Sequence, residues 1–73
     1  MEQTNLLGPG EKRRIQIGVT RRVFEITDDK KEAARLFEKL YREIKNQFGV
    51  HTYKDVKRKD LQSVIQLIEK WSP

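Results

Sequence analysis

The stretch from Asp28 to Val50 constrains this chain more than any other. Apolar residues fall at Ala33, Leu36, Phe37, Leu40, Tyr41, Ile44 and Phe48, in steps of three and four. That spacing places them on one face of an α-helix. Arg35, Glu38, Lys39, Arg42, Glu43 and Lys45 mostly take the other face. Asp29 is suited to cap the first turn, and Glu32 three residues later completes a capping-box pattern. Gly49 suits the left-handed position that ends a helix. A lone helix of this length is marginal in water, so its apolar stripe needs partners from the rest of the chain.

The remaining segments are few. Residues 1 to 8 read as a flexible lead-in, and residues 9 to 73 as a single helical domain. Gly8-Pro9-Gly10 is punctuation, with Pro9 placed to open a helix as its first residue. Glu11 to Thr27 is ambiguous. Ile15, Ile17 and Val19 alternate like a half-buried strand, whereas Ile15, Val19, Val23 and Ile26 lie at helical spacing. Gly18 costs a helix about 1 kcal/mol relative to alanine. A hairpin would place Thr20 to Arg22 in its turn, where no glycine or asparagine helps. The residues alone leave both forms open, with helix preferred. His51 to Val56 reads as an irregular connector. Lys57 to Trp71 reads as a last helix with the stripe Leu61, Val64, Ile65, Ile68 and Trp71. The expected fold is a small all-α domain of three helices whose apolar stripes meet. Phe37, Leu40, Tyr41, Ile44, Phe48 and Trp71 are assigned to the core or to an interface. Trp71, near the chain end, is placed either to cover the core or to anchor an oligomer.

Length and composition narrow the function. With 73 residues the chain supports one domain whose core contributes only a few kcal/mol, so self-association is a reasonable expectation. The absence of cysteine excludes disulfide staples and thiolate metal sites and suits a reducing compartment. One histidine, His51, makes a histidine metal cluster implausible, and no cofactor is expected. No apolar run is long enough to span a bilayer, and no signal-peptide h-region follows the start, so neither membrane insertion nor export is expected. No nucleophile triad, paired-carboxylate signature or phosphate-cradling glycine loop is present, so catalysis is not expected.

The net charge of +5, with 37% charged residues, permits an acidic partner. Acids are interspersed with the bases, so a merely solvated surface is the competing reading. The bases cluster at Lys12-Arg13-Arg14, at Arg21-Arg22 and at Lys57-Arg58-Lys59, with Lys54 just before the last group. A helix start disfavours cations because its free amides are already positive. A basic group at the start of the last helix therefore suggests phosphate binding by amides and side chains together. If the first segment is helical, Arg14 and Arg21 share a face and can track a nucleic-acid backbone. The candidate nucleic-acid-binding residues are thus Arg14, Arg21, Lys54, Lys57, Arg58 and Lys59. Tyr53 is read as packing over the core edge, with stacking on a base as the alternative.

The segments Leu40-Tyr41-Arg42-Glu43-Ile44-Lys45, Phe48-Gly49-Val50, Tyr53-Lys54-Asp55-Val56, Asp60-Leu61 and Ile68-Glu69-Lys70-Trp71 together resemble the C-terminal domain of phage-encoded antirepressor proteins. In that family a Phe-Gly-Val then Tyr-Lys-Asp-Ile connector joins two helices, and the second helix ends near a tryptophan. The resemblance spans roughly residues 15 to 71. It includes an arginine-valine pair in the first helix, here Arg22-Val23, which supports helix for that segment. Lys57 stands where the family often has proline. The chain is expected to be a fragment or a stand-alone copy of such a module. The resemblance implies a phage or prophage regulator in the cytoplasm of a bacterial host, with nucleic acid as partner. The alternative is an interaction or oligomerisation module that acts on a repressor, another protein or a second copy of itself. It carries no base-reading residue onto this chain.

Overall fold

The computed structural model describes residues 6 to 73. Three α-helices make up the fold: α1 (Pro9–Ile26), α2 (Lys30–Phe48) and α3 (Leu61–Lys70). Two 3-10 turns, Tyr53–Asp55 and Arg58–Asp60, lie between α2 and α3. The all-α, three-helix expectation is met, and the described residues form no strand.

The ambiguous first segment is a helix throughout. Pro9 occupies its first turn, and the Glu11 carboxylate accepts the Gly8 N–H at 2.6 Å. Ile15, Val19 and Val23, four residues apart, are 0% exposed, whereas Ile17 is 50% exposed. A half-buried strand would have buried Ile17 together with Ile15 and Val19, because alternate residues share a face. Helical periodicity therefore accounts for this pattern and strand periodicity does not.

Gly18 of α1 faces Ile68 of α3. A Cβ built there would meet Ile68 Cγ2 at 3.8 Å and Cδ1 at 3.9 Å, ordinary van der Waals contact. Gly18→Ala is therefore expected to stabilise the domain by several tenths of a kcal/mol to about 1 kcal/mol. In a domain of this size that raises the melting midpoint by up to about 4–8 °C. A lowered midpoint would mean that the α1–α3 contact cannot accept even a methyl group.

A three-residue link turns the chain back. Thr27 is extended, and its hydroxyl accepts the Asp29 N–H at 3.1 Å. Asp29 in turn accepts the Lys31 N–H at 3.1 Å. Asp29 is thus the N-cap, as expected, but the capping box with Glu32 does not close. The N–H that Glu32 would have taken goes to Thr27 instead. The end of α2 is as the sequence suggests. Gly49 adopts φ 64° and ψ 38°, and Val50 N–H reaches back to the Lys45 carbonyl at 3.0 Å. Those bonds form a Schellman ending, whose left-handed position glycine fills without strain.

The core gathers Ile15, Val19 and Val23 of α1, Ala33, Leu36, Leu40 and Ile44 of α2, and Val64 and Ile68 of α3. Phe37, Tyr41, Phe48 and Trp71 are partly buried and pack around it. Three pairings set the direction of α3. Arg58 meets Glu11 at the start of α1, Ile68 lies beside Gly18, and Trp71 meets Arg22 near the end of α1. The third helix therefore runs parallel to the first.

Three expectations need correction. The lead-in assigned to residues 1 to 8 is partly structured: Leu7 is 4% exposed within the core, and Leu6 forms an isolated antiparallel bridge with Lys57. Residues 1 to 5 lie outside the described residues. The last helix starts at Leu61 rather than Lys57. Val56 and Lys57 are extended, at ψ 137° and 151°, because Val56 must drop into the core, where it is 1% exposed. Finally, Trp71 lies just past the end of α3, extended at φ −68° and ψ 139°, so it is not part of the helical stripe.

Candidate nucleic-acid interface

All six candidate basic residues, Arg14, Arg21, Lys54, Lys57, Arg58 and Lys59, are exposed. They stand on two kinds of backbone. Arg14 and Arg21 are seven apart on α1, so they project from the side away from Ile15, Val19 and Val23. The other four belong to the connector and its 3-10 turns. Thr52 fixes the first turn by accepting the Lys54 N–H at 3.4 Å.

Arg58 is already engaged. Its Nε lies 3.3 Å from both carboxylate oxygens of Glu11, the residue that also accepts the Gly8 N–H. This carboxylate joins the start of α1 to the second 3-10 turn, and the Leu6–Lys57 bridge reinforces that junction. Arg58 therefore acts first as a tie between two parts of the fold. Among the described residues the other five candidates have no carboxylate within ion-pair distance.

The electrostatic setting of Lys57 and Lys59 differs from that expected. Neither stands on the first turn of α3. Both line an open recess beside Gly49 and Val50, at the C-terminal end of α2, with Asp55 and Asp60 in the same recess. A helix C-terminus carries partial negative charge and favours cations. The lysines are therefore locally accommodated, and an unfavourable helix start gives no reason to place a phosphate there.

Tyr53 is 9% exposed, so base stacking by this ring is not available in the folded chain. Its hydroxyl takes a hydrogen bond from Gln16 Nε2, and its ring lies 5.3 Å from that of Tyr41. Burial, and then the neighbouring Tyr53, push the Tyr41 hydroxyl above the usual tyrosine range. Tyr41 therefore holds its proton and stays neutral in this packing. Sequence reasoning missed Gln16, Glu11 and Arg22 as structural clasps. The Arg22 guanidinium donates through Nε to the Trp71 carbonyl at 2.8 Å and pairs with Glu25 at 3.2 Å. Only for Arg22 was there a signal in advance, the arginine-valine pair.

Comparison with known proteins then identifies the module. The model of the ORF6C domain matches residues 1–73, the whole chain. The chain belongs to the ORF6C domain family. ORF6C domains occur in phage-type proteins, which agrees with the phage part of the sequence resemblance. No curated protein and no solved structure matches this ORF6C chain significantly. No helix among the described residues is long and apolar enough to cross a membrane. No group of three or more His, Cys, Asp or Glu side chains among them is placed to hold a metal ion.

Proposed function

We propose that this ORF6C domain is a non-catalytic regulatory module of a phage or prophage protein of the antirepressor type, acting in the host cytoplasm. It binds nucleic acid through basic side chains. The observation that carries the reading is the connector, which exposes Lys54, Lys57 and Lys59 within six residues and leaves each without an ion-pair partner among the described residues. Uncommitted ammonium groups exchange readily between counterions and phosphates, and phosphate contacts position a protein on nucleic acid without reading its sequence. Arg58 contributes less because Glu11 holds it.

The test is a titration of duplex DNA at several salt concentrations, with the mass of the protein measured alongside. Log affinity should fall linearly with log salt, by about 0.9 per phosphate neutralised. Affinity that is independent of salt, or absent at low salt, would overturn the reading. A second reading, a protein-interaction module, is favoured by the two large apolar side chains that α1 exposes, Ile17 and Phe24.

A further inference from the structure

The outer face of α1 carries a surface unlike the connector. Ile17 is 50% exposed and Phe24 is 47% exposed. They are seven residues apart, which is two helical turns, so they lie on one line roughly 10 Å long. Arg13 and Arg21 stand one turn before and one turn after Ile17. Arg13, Gln16, Ile17, Thr20 and Arg21 line one shallow trough. Both acids of α1 are committed elsewhere, Glu11 to Arg58 and Glu25 to Arg22. The trough thus sets Ile17 between two arginines and contains no carboxylate, and Phe24, whose ring meets that of Phe37 edge-on at 6.0 Å, continues the apolar line just beyond it.

We propose that this face docks an acidic amphipathic helix of a partner protein. Its apolar residues would cover Ile17 and the exposed edge of Phe24, and its carboxylates would meet Arg13 and Arg21. The chemistry of the face selects this occupant. A helix laid along α1 presents apolar residues at the spacing of Ile17 and Phe24, which is the groove-and-helix mode of recognition. Arginine also pairs with carboxylates in a fixed two-pronged geometry. A second copy fits poorly, because a two-fold contact centred on Ile17 sets Arg13 of one chain against Arg21 of the other. A duplex backbone would meet the arginines but leave Ile17 and Phe24 without an apolar partner. This docking is separate from the nucleic-acid reading, which rests on the connector lysines.

The probe is a synthetic helical peptide with leucines at positions one, four and eight and glutamates around them, followed by fluorescence anisotropy. A peptide of the same composition in scrambled order, and one with lysine in place of glutamate, serve as controls. The acidic amphipathic peptide should bind and the two controls should not. Ile17→Ser should weaken binding at least tenfold, and so should Arg13→Ala with Arg21→Ala. Ile17 is solvent-facing, so its variant should keep the parent melting midpoint, and its DNA affinity and salt slope should also be unchanged. Equal binding of the scrambled peptide would overturn the proposal. So would unchanged affinity of the Ile17→Ser variant, or a parent dimer that Ile17→Ser converts to monomer, since a second copy would then be the occupant. Competition by duplex DNA that Ile17→Ser abolishes would assign the face to nucleic acid instead.

Discussion

Leu40→Ala is expected to leave most of the chain unfolded at 37 °C. Leu40 is 0% exposed and lies one turn from Leu36 and one from Ile44, both also buried. Truncating a fully buried leucine costs about 2–5 kcal/mol, through lost transfer energy and the cavity left behind. A domain under about 80 residues rarely has more than about 3–5 kcal/mol of net stability. The loss is thus as large as the total. Leu40→Met, which nearly conserves volume, should cost less than about 1.5 kcal/mol and keep the fold. Circular dichroism with a urea titration reads both variants. An unchanged midpoint for Leu40→Ala would show that the α2 stripe is not the core.

The combined variant Lys54→Ala, Lys57→Ala, Lys59→Ala should lose its affinity for duplex DNA on all sequences alike. If each lysine neutralises one phosphate, the plot of log affinity against log salt becomes shallower by about two to three units. Over a fourfold rise in salt the parent should then weaken by roughly 40-fold more than the variant does. Arg58 stays in place because its removal would break the tie to Glu11 and confuse a binding loss with a folding loss. Lys57 and Lys59 also lie near the C-terminal end of α2, where a cation contributes about 0.3–1 kcal/mol at low salt. A small fall in melting midpoint is therefore expected, and helix content should persist. A variant that binds as tightly as the parent, with the same slope, would make the connector lysines a solvated surface. The protein-interaction reading would then be the better one.

How much of this was legible in the residues depends on the range of the forces involved. Helix α2 was legible in all but its Glu32 capping box: its stripe, its Asp29 cap and its Gly49 ending are written within one or two turns of chain. The first segment was only half legible. Ile15, Ile17 and Val19 satisfy a strand pattern while Ile15, Val19 and Val23 satisfy a helical one, and the exposure of Ile17 beside the buried Ile15, Val19 and Val23 decides between them. For the interface, the residue types were legible and their settings were not. Whether Arg58 is available depends on Glu11, 47 residues away, and whether Tyr53 is available depends on Gln16, 37 residues away.

The sequence by itself determined that the second and last segments are helical, where α2 begins and ends, and that the surface carries exposed positive charge. Each of these follows from side-chain periodicity, capping or composition, which act over a few residues. Only the tertiary structure decided that Leu7 and Val56 belong to the core, that α3 starts at Leu61 and that Arg58 is tied to α1. It also decided that Ile17 and Phe24 stay half exposed on the outer face, Phe24 with its ring against Phe37. These outcomes depend on which stripes meet. A buried position gains from its neighbours in space, and for this chain those neighbours lie tens of residues away along the backbone.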